Sequence, residues 1–162
     1  MSTVDLQPIF ESIYALLAKH IEIELREEDY GASFWGSDSG LWMDYDTSCL
    51  TIGFGASHRH HYPEHEDLRP VIEEFFNMLT RRKRITHYSK GGRFFKEEIE
   101  FELGDNQYRK FGRTIYLFVP FWKKTETEVH FEEPLLAHSD MESGINEIYK
   151  LLEDLQPRRP HQ

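Results

Sequence analysis

LWMDYDTSCLTIGFG, residues 41–55, has the pattern that decides the fold. Apolar residues occupy alternate positions on both sides of a short polar turn: Leu41, Met43, Tyr45, Leu50, Ile52 and Phe54. Successive side chains of a strand point to opposite faces of a sheet, so this alternation predicts an antiparallel hairpin. A sheet with one apolar face needs a second layer to cover that face.

Three stretches supply candidate helices for that layer. Apolar residues recur at helical spacing over residues 4–26, from Leu68 to Leu79 and from Met141 to Leu155. The basic run at residues 81–84 follows the second stretch, and we interpret it as cations that complement the dipole at a helix C-terminus. The first stretch runs into acids, which suit a helix C-terminus badly and predict an early end to that helix.

Between the second and third predicted helices, apolar residues recur at every second position. Ile99, Phe101 and Leu103 alternate with glutamates, and GDNQ at residues 104–107 is typical of a hairpin turn. The run TIYLFVPFW, residues 114–122, is apolar on both faces and predicts a central strand. A half-exposed strand follows at residues 127–131.

These patterns predict a single α+β domain with the order α-β-β-α-β-β-β-β-α. Short links between strands favour a mainly antiparallel sheet of about six strands, with three helices packed largely on one face and the other face partly open. We expect this domain to span residues 1–156 and residues 157–162 to form a flexible C-terminal tail.

Composition limits the possible functions. The chain of 162 residues has 29 acids against 19 lysines and arginines, a formal charge of -10, which disfavours direct binding to nucleic acid or anionic membranes and favours a basic partner. Cys49 is the only cysteine, which excludes an internal disulfide. The sequence shows neither a signal peptide nor a membrane span, so we expect a cytoplasmic protein without a membrane partner. No cofactor is predicted.

The segment SHRHHYPEHED, residues 57–67, permits two interpretations. His58, His60 and His65 form a candidate ligand set for a metal-dependent hydrolase, with Glu64 as its base. Alternatively, the segment is a solvated loop in which Glu66 or Asp67 caps the following helix. The second interpretation is favoured, and no catalytic residue is predicted under it.

Acids and aromatic residues outside the predicted core form the candidate partner-binding set. Carboxylates steer a basic partner and rings supply buried contact area. We expect Trp35 and Trp42 to act as anchors. The steering acids are Glu22, Glu24, Glu27, Glu28, Asp29, Glu98, Glu100 and Glu102.

Three stretches also carry a resemblance to a known class of proteins. LTIGFGASHRHHYPE (50–64), FFNMLTRRKRITHYSKGGRFFKEEIEFEL (75–103) and FVPFWKKTETEVHFEEPLL (118–136) resemble small bacterial immunity proteins of polymorphic and contact-dependent growth-inhibition toxin systems. The resemblance implies a cytoplasmic antitoxin that binds a cognate toxin domain, often a nuclease, and occludes its active site without catalysis. It carries over no individual functional residue.

Overall fold

The 41–55 hairpin lies within a five-stranded antiparallel sheet in the computed structural model, which describes residues 4–37, 39–116 and 120–155. The strands are neighbours in the sheet in the same order in which they follow along the chain. They are β1 (Ile23–Glu28), β2 (Gly31–Gly36), β3 (Leu41–Tyr45), β4 (Leu50–Phe54) and β5 (Ser57–His61).

Two helices cover one face of this sheet, and a third packs against the first of them. They are α1 (Gln7–Leu17), α2 (Leu68–Thr80) and α3 (His138–Leu155). The ring of Phe34 on β2 lies 5.2 Å from the ring of Phe10 on α1 and 6.3 Å from that of Phe75 on α2. On α3, Gly144 lies against Leu16 of α1. The alternation in the quoted hairpin therefore marks a buried inner face, and the opposite face is the outer face of the sheet.

A second antiparallel sheet has four strands in the order β8-β7-β6-β9. They are β6 (Lys83–Lys90), β7 (Arg93–Gly104), β8 (Gln107–Ile115) and β9 (Thr125–Glu132). Asp105 and Asn106 both adopt positive φ, at 49° and 58°, so the predicted hairpin turn between β7 and β8 is confirmed. Ile85, Ile99 and Phe101 are among the buried residues of this sheet.

The predicted α+β fold class is confirmed, and the domain comprises two compact units. The first contains Met1–Phe75 and Leu136–Gln162, and the second contains Phe76–Leu135. The predicted domain boundary at residue 156 stays a prediction, and the predicted tail, 157–162, lies outside the described residues. In the described part of the chain, no helix combines the length and apolar character needed to cross a membrane.

The predicted strand count and order are wrong. The described residues form nine strands in two sheets, in the order α-β-β-β-β-β-α-β-β-β-β-α, instead of about six in one. Two of the missed strands are at the edges of the first sheet: residues 24–28 of β1 are exposed on both faces, and the inward positions of β5 hold Ser57, Arg59 and His61. Neither strand shows apolar alternation, because neither contributes apolar side chains to the core at most positions.

Other boundaries also differ from the prediction. Helix α1 ends at Leu17, and part of the acidic stretch predicted to end it forms β1. The basic run at 81–84 does not lie wholly at a helix end, since Lys83 and Arg84 begin β6. The predicted central strand at 114–122 is wrong at its described ends: β8 is an edge strand that ends at Ile115, and Trp122 lies in a turn. Residues 117–119 of that run are outside the described residues.

Candidate functional site

An acidic groove opens at one end of the five-stranded sheet. Its walls are the start of α1, the β1–β2 turn and the β3–β4 turn, and its volume is about 710 Å³. No lysine, arginine or histidine is among its described lining residues. The acids that line it are Asp5, Glu11, Glu27, Glu28, Asp29 and Asp46. Three of these acids, Glu27, Glu28 and Asp29, were predicted to steer a partner. The other three were not predicted.

Aromatic rings line the same groove. Phe10, Tyr14, Tyr30 and Tyr45 contribute to its walls. The rings of Phe10 and Tyr45 pack against each other with centroids 4.7 Å apart, whereas Tyr30 is 78% exposed at the β1–β2 turn. Buried rings fix the shape of the groove, and an exposed ring beside carboxylates gives a partner an area to pack against.

The carboxylates act on neighbouring titratable groups. Burial raises the pKa of the Tyr45 hydroxyl, and the negative charges of Glu11, Asp5 and Glu27 raise it further. Burial likewise raises the pKa of Asp44, again reinforced by Glu28 and Asp46. Burial gives both shifts their sign, and the nearby negative charges add to them. A cation placed in the groove would relieve this repulsion.

Asp46 is held in its charged form by the β3–β4 turn. Its Oδ1 accepts hydrogen bonds from the backbone amides of Ser48, at 2.7 Å, and Cys49, at 2.8 Å. These bonds, led by that from the Ser48 amide, lower the pKa of Asp46. The turn thus fixes one carboxylate of the groove in place without a cation.

The outer face of the same sheet carries a row of aromatic residues. Strand register places Glu24 opposite Trp35, Trp35 opposite Trp42, Trp42 opposite Gly53 and Gly53 opposite His58. Residues directly opposite each other point to the same face. Glu24, Trp35 and Trp42, predicted separately as partner-binding residues, therefore lie together in one row.

Contacts within this row hold the rings in place. The Trp42 Nε1–H donates to the backbone oxygen of Gly55 at 3.1 Å, and the Trp42 and His58 rings have centroids 5.6 Å apart. His58 in turn meets His60 edge to face at 5.1 Å, and His60 Nδ1 lies 3.0 Å from the Thr51 hydroxyl. The two histidines thus extend the aromatic surface that the tryptophans begin.

The three histidines of the metal alternative separate in the structure. His58 and His60 share the outer face, as their spacing predicts, but His65 lies beyond β5 in the turn that leads to α2. Among the described residues, no group of three or more histidine, cysteine, aspartate or glutamate side chains is positioned to hold a metal ion. His58, His60, His65 and Glu64 therefore do not assemble the predicted ligand set here.

The turn between β5 and α2 matches the loop interpretation. Asp67 Oδ1 accepts a hydrogen bond from the Arg69 amide at 2.9 Å, so the predicted cap of this helix is confirmed. Glu66 closes the turn instead, since its carboxylate accepts the Tyr62 amide at 2.7 Å and contacts His61 Nδ1 at 3.2 Å.

The predicted steering acids on β7 belong to the second unit, where cations already pair with two of them. Glu98 contacts the Lys110 ammonium at 2.6 Å and the Lys96 ammonium at 3.0 Å. Arg84 Nε donates to Glu100 at 2.7 Å, whereas Glu102 is half-buried opposite Tyr108. Ion pairing cancels much of the long-range field of Glu98 and Glu100, so these acids are weaker candidates for steering than the groove acids.

Two kinds of residue in the groove are not predicted from the sequence. Asp5, Glu11 and Asp46 belong to segments far apart along the chain, and no local pattern links them to residues 27–29. Tyr30 could have been predicted as an exposed site residue, because an aromatic residue within an acidic, turn-forming stretch has no core position to fill. Glu22, which was predicted, is exposed just before β1 and is not among the residues that line the groove.

No family model, curated protein or solved structure shows significant similarity to this chain.

Proposed function

We propose that this protein is a binding module that neutralises a cognate bacterial toxin domain by masking its active site, as an immunity protein does. The observation that carries the proposal is the groove in which six carboxylates and several rings meet without a cation among the described lining residues. Such a surface attracts a basic partner. A nuclease is a suitable partner, because its substrate-binding surface uses cations to hold phosphates.

The groove and the outer face support different parts of binding. Uncompensated carboxylates at Glu27, Glu28 and Asp29 accelerate encounter with a positively charged surface. Exposed rings then supply area that is buried in the complex, and Trp35 and Tyr30 are 39% and 78% exposed. Masking in this way needs no catalytic group on the chain. We infer that the protein meets its target in the cytoplasm.

Co-expression with a toxin tests the proposal. A suitable toxin would be the C-terminal domain of a large secreted protein encoded beside the gene for this chain. We expect growth to be restored and a stoichiometric complex to form. Continued toxicity, together with separate elution of the two proteins in size-exclusion chromatography, would contradict the proposal.

A charge-reversal set identifies the surface involved. Glu27→Lys, Glu28→Lys and Asp29→Lys together should lower the association rate with that toxin domain by at least about ten-fold at low salt, since electrostatic steering raises such rates by 10–10³. The matched control reverses three exposed acids of α3, through Glu142→Lys, Glu147→Lys and Asp154→Lys, and changes the net charge equally. Equal losses in both sets would mean that net charge, and not the groove, attracts the partner.

A further inference from the structure

Strand β1 is an edge of the five-stranded sheet. Within the described residues it pairs with β2 alone, and residues 24–28 are all exposed. An edge strand presents unpaired backbone N–H and C=O groups, onto which another extended segment can add as a further strand.

The backbone register shows which groups of β1 are free to do so. The Ser37 amide donates to the Glu22 carbonyl at 3.3 Å, so Glu22 directs its backbone groups towards β2. In an antiparallel ladder this direction alternates along the strand. The N–H and C=O groups of Leu25 and Glu27 consequently point away from β2.

The free groups of β1 border the acidic groove. Leu25 and Glu27 are both lining residues of the groove, together with Glu28 and Asp29 at the end of the strand. A segment paired with β1 would therefore run beside these carboxylates, and the half-exposed Leu25 side chain would offer it an apolar contact.

Charge decides which segment suits this edge. A second, antiparallel copy of β1 that pairs its Leu25 with Glu27 of the first would set Glu24 against Glu28 and Arg26 against Arg26, and like charges on adjacent strands repel. A strand rich in lysine or arginine would instead meet these acids with opposite charge. In that register the edge disfavours self-association, and its acids favour a basic partner.

We propose that the partner is held through an extended basic segment that pairs with β1 as an additional strand of the sheet. This inference rests on the proposed binding function of the groove and adds the geometry of recognition. Backbone pairing through Leu25 and Glu27 supplies part of the affinity, and the groove acids select cationic side chains.

The test uses an alternating lysine–valine octapeptide as the probe and Leu25→Pro as the variant. Proline at this position removes the outward amide while keeping the bonds to β2, which is the arrangement tolerated in edge strands. We expect the variant to bind the peptide at least about five-fold more weakly, because a backbone hydrogen bond is lost. Leu25→Val keeps the amide and is the matched control, with affinity close to that of the unaltered chain.

A second probe keeps the test valid if Leu25→Pro does not fold. The same octapeptide methylated at alternate backbone nitrogens cannot pair as a strand along its methylated edge, and it should bind the unaltered chain at least about five-fold more weakly. The unmethylated peptide should also slow hydrogen exchange at the Leu25 and Glu27 amides. If the methylated and unmethylated peptides bind with equal affinity, and the Leu25 and Glu27 amides are not protected from exchange, the strand-addition proposal is wrong.

A charge variant separates failure of this inference from failure of the proposed function. Glu27→Gln with Glu28→Gln should weaken binding of the octapeptide if the groove selects cations. If these changes weaken binding but backbone methylation does not, the groove binds basic partners without strand addition. If neither weakens binding, both the strand addition and the basic-partner proposal are wrong.

Discussion

The indole of Trp42 occupies the space directly above Gly53, its cross-strand neighbour on β4. A Cβ atom at residue 53 would meet the indole ring itself. The ring is also fixed by its hydrogen bond to the Gly55 carbonyl, so it lies flat on the outer face beside His58. The absence of a side chain at Gly53 therefore allows the Trp42 ring to lie against the sheet beside the His58 ring.

Gly53→Ala should consequently lower the free energy of unfolding by about 1–3 kcal/mol, because the added methyl group forces the Trp42 ring off the sheet. Chemical denaturation measures this cost, and tryptophan fluorescence should report the displaced ring. In a Trp42→Ala background the same change should cost much less. An equal cost in both backgrounds would show that the indole is not what restricts residue 53.

Gly144 makes a comparable close contact between α1 and α3. A Cβ atom there would run into the Leu16 side chain. Alanine normally stabilises a helix interior relative to glycine by up to about 1 kcal/mol, but here we expect Gly144→Ala to destabilise by about 1–3 kcal/mol. Thermal or urea unfolding measures the sign of the effect.

Two control variants complete that test. Ser143→Ala, at an exposed position of the same helix, should be neutral or stabilising. Leu16→Ala removes the obstructing side chain, so adding Gly144→Ala to it should cost less than adding Gly144→Ala to the unaltered chain. Strictly additive costs would contradict a direct contact between the two positions.

Glu98 should make stability depend on pH at the acidic end. Its hydrogen bonds, first with Lys110 and then with Tyr88 and Lys96, lower its pKa from 4.5 to about 2. Because the pKa is lower in the folded state, the stabilisation is fully present above pH 4.5 and is lost as the pH falls towards 2. Acid titration of the free energy of unfolding will show this loss.

Glu98→Gln isolates the contribution of that carboxylate. Near neutral pH the variant should be about 1 kcal/mol less stable, the scale of a partly exposed ion-pair network, and the difference should vanish once the pH falls below about 2. Glu126→Gln, at an exposed position of β9, controls for the loss of one negative charge. A pH-independent difference between Glu98→Gln and the unaltered chain would rule out this linkage.

Neutralising the groove should stabilise the protein. Glu27→Gln, Glu28→Gln and Asp29→Asn together remove like-charge repulsion, and we expect a gain of about 0.5–1 kcal/mol at low salt. High salt should shrink the gain, because it screens the same repulsion in the unaltered chain. The control set on α3 is Glu142→Gln, Glu147→Gln and Asp154→Asn. A larger gain from the control set would mean that the groove acids are not mutually repulsive.

Sequence periodicity predicts the parts of this fold that depend on apolar burial. Leu41, Met43 and Ile52 alternate because their side chains enter the core, and both that hairpin and α2 are found where periodicity predicts them. Strand β1 has no such signal, because its backbone pairs with β2 while most of its side chains face water.

The candidate site was predictable only in part, for a related reason. Charge alone predicted Glu27, Glu28 and Asp29 as site residues, and aromatic character predicted Trp35 and Trp42. The meeting of those acids with Asp5, Glu11 and Asp46 depends on how α1 and two turns come together in space. Likewise, the opposition of Trp42 and His58 across Gly53 depends on strand register, which single segments do not encode.

The contact between Leu16 and Gly144 also has a consequence for biosynthesis. The first unit draws on chain segments on both sides of the second, whereas Phe76–Leu135 is one uninterrupted stretch. During translation the second unit is complete before α3 leaves the ribosome, so Leu16 of α1 waits for its contact with α3 until the strands of both sheets have been made. The apolar surface around Leu16 is thus left uncovered in the nascent protein after the surface around Phe10 has met β2, and it is a place where a chaperone would be useful.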